Sequence, residues 1–266
     1  MTATRVDSGT VLLHVSDGVA TITLNRPEAR NALNMAVKTE LADVLQTIRH
    51  DADIRAVVVT GAAGSFCAGG DIIEMELNDS PRTSRSRLAR LLEEIFVRLA
   101  EMEKPTIAAV EGHAHGAGLS LALACDLMIV SEEAVLSCAF SKVGLVPDCG
   151  SLYFLPRRLP MPVAKELVFT GRRFGGKEAV EMGLANRAVE AGTAAEVAGR
   201  LALELAEGAT VALGMAKRLL EASTSSSLHE MGDLEAFGQA VAYGTEDHLA
   251  ARAAFAAKST PRFIGR

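Results

Sequence analysis

Cysteine is sparse in this chain and never paired: Cys67, Cys125, Cys138 and Cys149 form no Cys-x-x-Cys unit and stand at no metal-ligand spacing from the histidines. Neither a disulfide framework nor a thiolate metal site is therefore expected, and reduced structural thiols are the simple reading. Lysine and arginine never run for more than two residues, and the net charge is −6. That balance argues against a nucleic acid or an anionic membrane surface as the main partner. The most apolar helical stretch, Leu119 to Val130, is too short to span a bilayer and carries Asp126. Met1 to Gly18 lacks the basic start and apolar core of a signal peptide, so a soluble, cytoplasmic protein is expected. A Walker motif and a Gly-x-Ser-x-Gly elbow are missing too. The glycines of GHAHGAG lack Gly-x-Gly-x-x-Gly spacing, which disfavours a dinucleotide oxidoreductase. There is no exact internal repeat and no low-complexity tract.

What is present is ample material for a core. With 266 residues, 49% hydrophobic and 23% charged, the chain fits one large domain, alone or with a small helical appendage. VATITL (Val19 to Leu24), AVVVT (Ala56 to Thr60), TIAAV (Thr106 to Val110) and LMIV (Leu127 to Val130) read as strands. Met35 to Arg49 and Arg85 to Met102 place apolar residues at helical spacing. The alternation predicts an α/β fold with at least partly parallel pairing. Leu77 to Ser86, polar and holding Pro81, reads as a mobile surface loop. From about Val163 strand signals thin out, and Ala-rich helical sequence dominates through Val197 to Ala206, Val211 to Ala222 and Leu234 to Ala257.

Two segments carry chemistry. SFCAGGD (Ser65 to Asp71) follows the strand AVVVT and its turn, and sets two glycines before the helix-like IIEMEL. Small residues at such a turn let a ligand carbonyl approach the main chain, although an ordinary tight turn has the same composition. In EGHAHGAGLSLALACD, Gly112, Gly116 and Gly118 open a second helix whose first amides are uncovered. Two such turns converging on one oxygen would make an oxyanion hole.

Together these segments resemble the enoyl-CoA hydratase/isomerase (crotonase) superfamily. NRPEARNALN at Asn25 to Asn34, FCAGGD at Phe66 to Asp71, KPTIAAVEGHAHGAG at Lys104 to Gly118, CDLMIV at Cys125 to Val130 and GLVPD at Gly144 to Asp148 fall in that family's order and spacing. The C-terminal TEDHLAARAAFAAKSTPRFIGR resembles its closing segment. The resemblance implies a spiral of ββα units over residues 1–200 and a helical trimerisation region over 201–266 that also covers the site. A homotrimer or homohexamer is implied with it. It further implies a coenzyme A thioester as substrate with no bound cofactor, and backbone amides of Ala68 and Ala117 as the oxyanion donors. Gly69, Gly70, Asp71, Ile72 and Gly116 would line the thioester. Arg26 and Arg30 become candidate phosphate neighbours, while Phe255 and Lys258 sit where a neighbouring subunit often reaches the adenosine end. A solvated surface is the competing reading for each of these cations.

Hydratases of this family use two glutamates, at positions occupied here by Ser120 and Phe140. Neither can serve as a carboxylate acid or base. Asp148 remains, at a position where double-bond-shifting members and ring-opening isomerases carry an aspartate, and a single shielded carboxylate suffices to move a proton. A common turn composition also explains Pro-Asp before Cys-Gly.

The chain is accordingly read as an enoyl-CoA isomerase with Asp148 as proton shuttle. A hydratase-type lyase, or a dehalogenase with Asp148 as nucleophile, is the alternative, the latter weakened by the absence of tryptophan. A non-catalytic acyl-CoA-binding subunit is the third. His113 and His115 are expected to support the turn rather than bind metal. Glu74 and Glu76 read as a solvated face, Ser120 as a pocket or backbone donor, and Met75, Met128 and Met215 as core or acyl-pocket lining.

Overall fold

The computed structural model describes residues 5, 6, 8–76 and 80–266. The strands are β1 (Arg5–Val6), β2 (Val11–Ser16), β3 (Val19–Leu24), β4 (Ala56–Gly61), β5 (Thr106–Val110), β6 (His113–His115), β7 (Leu127–Ser131), β8 (Val135–Ser137), β9 (Arg173–Gly175) and β10 (Arg187–Val189). Seven form one sheet in the order β1-β2-β3-β4-β5-β7-β10, antiparallel as far as β3 and parallel from β3 to β10. The other three form a small sheet in the order β6-β8-β9.

The all-apolar central strands follow from burial on both faces. In β4, Val57 and Val59 face the large core while Ala56 and Val58 face the opposite side; β5 alternates in the same way with Ala108 and Val110 against Ile107 and Ala109. On the second face lies the helix Ala194–Ala206, which buries Ala194, Ala198, Ala202 and Ala206 against the sheet. Four alanines at four-residue spacing let that helix approach closely. The expected division after residue 200 therefore falls inside a helix that belongs to the sheet, and the purely helical region begins at Thr210.

Capping residues explain where helices begin. Asn34 accepts a hydrogen bond from the Val37 amide at 2.9 Å and opens Met35–His50. Ser80 accepts from the Thr83 amide at 3.2 Å, with Pro81 at the first helical position, so Pro81–Leu91 is helical where a loop was expected as far as Ser86. It continues through a π-helical stretch, Leu92–Val97, into Arg98–Ala100. Residues 77–79 of that loop reading lie outside the described residues, as do the side chains of Met75 and Glu76. IIEMEL yields only a short 3-10 turn, Ile73–Glu76. The long helix read over Leu234 to Ala257 is two, Leu228–Tyr243 and Glu246–Ala257, because Thr245 caps the second by accepting from the His248 amide at 3.1 Å.

Arg55, at the entrance to β4, ties the C-terminal region to the core. Its guanidinium donates to the Gly208 carbonyl at 2.6 Å, the Phe263 carbonyl at 3.1 Å and the Thr210 hydroxyl at 3.4 Å. Buried Asp247 in turn accepts from the amides of Ile264 and Gly265 at 2.6 and 3.0 Å. Among the described residues no helix is long and apolar enough to cross a membrane.

Candidate active site

In an open parallel sheet, ligands bind beyond the carboxyl ends of the strands. Here the segments leaving β4 and β5 run side by side. The Phe66 amide donates to the Glu111 carbonyl and the Cys67 amide to the His113 carbonyl, both at 2.8 Å, and the His115 amide returns to the Cys67 carbonyl at 3.1 Å. Two glycines permit the contact. A Cβ on Gly118 would lie 2.2 Å from the Cys67 carbonyl oxygen, and one on Gly69, whose φ is +104°, would lie 2.7 Å from the His115 carbonyl and 3.7 Å from the Ala117 nitrogen. The two turns are thus locked face to face by the absence of side chains.

Which amides remain free is decided by the hydrogen bonds. The Ala68 N–H, expected to face a ligand, donates to the Arg30 carbonyl at 2.9 Å and is already satisfied. The Leu33 strand pairs with the Gly69 carbonyl and the Asp71 amide, so the intervening Gly70 N–H points the other way. Gly70 has no acceptor among the described residues. The same holds for Ala117, the first residue of the helix Ala117–Ala124, whose N-cap Gly116 supplies no side chain. The amides left free on the two facing turns are therefore those of Gly70 and Ala117, the latter at the positive end of a helix. From the sequence Gly70 was placed only among the residues lining the thioester; the signal for its free N–H is strand-like alternation along Gly69-Gly70-Asp71.

Arg26 does not present a free cation. It donates to the Ala32 carbonyl and to the Asp71 carboxylate, both at 2.9 Å, and this neighbour holds the Asp71 carboxyl below the usual range. Fully buried Asn31 braces the same loop, accepting from the Arg26 amide at 2.8 Å and donating to the Ala62 and Ser65 carbonyls. Arg30 is exposed, and its guanidinium has no carboxylate partner among the described residues. Ile72 is exposed at the edge of the turn. Glu74 is engaged, accepting from the Met35 amide at 2.8 Å and pairing with Lys38 at 3.5 Å.

Asp148 is half-buried, on a turn in which Cys149 (φ +54°) and Gly150 (φ +81°) precede the helix Ser151–Arg158. Burial raises its pKa; the Cys149 hydrogen bond and the positive charges of Lys38 and Arg87 partly offset this. Ser120 is fully buried, with its hydroxyl 2.6 Å from that of Ser151. Phe140 is buried with its ring beside Gly116, 3.8 Å from where a Cβ would stand. The two positions at which a hydratase would carry glutamates thus hold a buried hydroxyl and an aromatic ring. No sequence pattern pointed to Ser151 or to Lys38.

His113 and His115 lie on one face of β6 with ring nitrogens 3.2 Å apart, and His115 contacts the Ser137 hydroxyl at 2.8 Å. Burial, then His113, Arg173 and Arg30, lowers the His115 pKa to about 4, so the ring is neutral. Among the described residues no three His, Cys, Asp or Glu are placed to hold a metal ion. All four cysteines are buried, and burial pushes the Cys67 and Cys125 thiols up to about 12. Met128 belongs to the core, whereas Met215 lines a cavity of about 960 Å³ whose wall also includes Thr210, Val241 and Gly150. Phe255 is 87% exposed and Lys258 is exposed at its helix end; neither makes a polar contact with the site residues among those described.

Comparison with known proteins places the chain in a family. A family profile described as enoyl-CoA hydratase/isomerase matches residues 14–266. The chain is 37% identical over 259 residues to the 1,2-epoxyphenylacetyl-CoA isomerase of Escherichia coli K12, covering 96% of this chain and 98% of that one. It is 39% identical over 256 residues to the human enoyl-CoA hydratase domain-containing protein 2, mitochondrial, covering 94% and 86%. The crystal structure of an enoyl-CoA hydratase/isomerase from Cupriavidus metallidurans CH34 superposes with a TM-score of 0.90 at 35% identity, covering 98% of each chain.

Proposed function

The chain belongs to the enoyl-CoA hydratase/isomerase family, and on that premise we propose that it shifts a double bond within an enoyl-CoA thioester, with Asp148 as the proton carrier. The thioester oxygen accepts from the Gly70 and Ala117 amides. The Asp148 carboxylate removes a proton from the α or γ carbon, and the electron pair delocalises as a dienolate onto the oxygen held by the two N–H groups. The resulting carboxylic acid then returns the proton to the other carbon, which moves the double bond and restores the carboxylate. Each amide contributes about 3 kcal/mol to the intermediate. The reaction is redox-neutral and calls for no cofactor beyond the coenzyme A carried by the substrate.

The observation that carries this reading is the half-buried Asp148 carboxyl beside a site where Ser120 and Phe140 replace acidic residues. Phe140, packed on Gly116, offers no carboxylate to activate a water, which disfavours hydration. An isomerase of a coenzyme A thioester stands among the relatives, beside proteins named as hydratases and a dehydratase. Arg30, exposed and without a carboxylate partner among the described residues, suits a coenzyme A phosphate; Phe255 and Lys258, exposed in the single chain, suit contact with coenzyme A bound by a neighbouring subunit of a trimer or hexamer.

The test is proton exchange and double-bond migration on 2-enoyl-, 3-enoyl- and dienoyl-CoA esters, wild type against Asp148→Asn. Migration without water addition, abolished by the substitution, supports the reading. Hydration that survives it defeats the mechanism, and binding without turnover favours a non-catalytic acyl-CoA-binding subunit.

A further inference from the structure

Ser120 and Ser151 are both buried. Their hydroxyl oxygens stand 2.6 Å apart across two different helices. The Ser120 hydroxyl also reaches the Gly116 carbonyl at 3.2 Å and stands 3.5 Å from the Asp148 carbonyl. From the other side, the Ser151 amide donates to that same Asp148 carbonyl at 3.0 Å. Each hydroxyl carries one proton, so one proton joins the pair and the other passes outward to a further acceptor.

The groups so joined are the two halves of the site. Gly116 is the residue before Ala117, whose N–H faces the thioester oxygen, and Asp148 carries the carboxyl. Between Asp148 and Ser151 the chain passes through Cys149 and Gly150, both left-handed, with φ of +54° and +81°. A non-glycine residue in that region persists only where its surroundings hold it. The Ser120–Ser151 contact supplies such a hold between the helix Ala117–Ala124 and the turn that bears Asp148.

We infer that Ser120 and Ser151 act as a positioning clamp, setting the separation between the Ala117 amide and the Asp148 carboxyl that proton transfer requires. The inference rests on the reaction proposed above. Geometry is the reason it matters: a displacement of about 1 Å at a reacting group lowers a rate by on the order of 100-fold. The clamp acts through Asp148 and takes no proton from the substrate.

Ser120→Ala and Ser151→Ala, each made in the full chain, test this through kcat, KM, the pH profile of kcat and the thermal midpoint. Each substitution is expected to lower kcat by about 10- to 100-fold with KM changed by less than about threefold. The acid limb of the profile should move to lower pH, because a loosened turn admits water to the Asp148 carboxyl and removes part of the burial that raises its pKa. A kcat within about twofold of wild type, or a lower midpoint with the acid limb unmoved, overturns the clamp. Failure of both variants to fold also overturns it, since the serines would then serve packing alone. Full activity in both variants beside an inactive Asp148→Asn removes only the clamp, whereas wild-type turnover by Asp148→Asn removes the proton carrier and the clamp together.

Discussion

Arg26 and Asp71, 45 residues apart in the chain, form an ion pair at 2.9 Å that closes the loop after β3 onto the turn presenting Gly70. Both side chains are largely shielded, at 17% and 11% exposure. The same Arg26 nitrogen also donates to the Ala32 carbonyl, so the guanidinium is held by backbone as well as by charge.

Arg26→Met should accordingly lower stability by about 1–3 kcal/mol, between the values for exposed and fully buried pairs, and should raise KM for the thioester by releasing the Gly70 turn. Denaturant unfolding and steady-state kinetics check both. The sign with pH is set by Asp71. Its folded pKa is depressed, so the pair's contribution is complete above the unfolded carboxylate value of about 3.9 and is lost as pH falls through the lower folded value. Wild type and Arg26→Met should therefore converge in stability in strong acid.

Gly118→Ala places a Cβ 2.2 Å from the Cys67 carbonyl oxygen and must push the two turns apart. A stability loss of about 1–3 kcal/mol is expected from the forced shift. A fall in kcat on the order of 100-fold should accompany it as the Gly70 and Ala117 amides cease to converge. Equal kcat in the two proteins would mean that the amides do not act together.

Asp148→Asn should reduce turnover by about 10²- to 10⁴-fold. Its effect on stability should have the opposite sign. Burial raises the Asp148 pKa, so the group favours folding below the unfolded value and loses that contribution as pH rises through the folded one. The variant should then melt higher than wild type at neutral pH and no higher in strong acid, which thermal scans at both pH values will read.

Arg55→Ala removes the three hydrogen bonds that join the entrance of β4 to Gly208, Thr210 and the Phe263 carbonyl. A loss of about 2–4 kcal/mol is expected, because the partners are left without their charged donor. Hydrogen exchange should show the amides of Ile264 and Gly265 exposed first.

Much of the fold was legible because each signal was local. The all-apolar runs of β4 and β5 require burial on two faces, whereas the break that the Thr245 cap makes within Leu234 to Ala257 was passed over. The short strands β6, β8, β9 and β10 were missed, since three residues carry no periodicity and are held by their neighbours. The ordered motifs placed the family and drew attention to Asp148, Ser120 and Phe140, the positions on which the proposed chemistry rests.

Sequence by itself determined the α/β class, the family and the glycine-rich turns, because these depend on residue type and spacing along the chain. Only the tertiary structure decided which amides are free. Ala68 and Gly70 are both small and two residues apart, yet one N–H is taken by the Arg30 carbonyl and the other is not. Arg26 likewise resembles a phosphate ligand until Asp71 is brought beside it, and Ser120 an isolated helix serine until Ser151 meets it at 2.6 Å. In each case the deciding partner comes from a distant part of the chain, and hydrogen-bond satisfaction is a property of the assembled neighbourhood rather than of the residue.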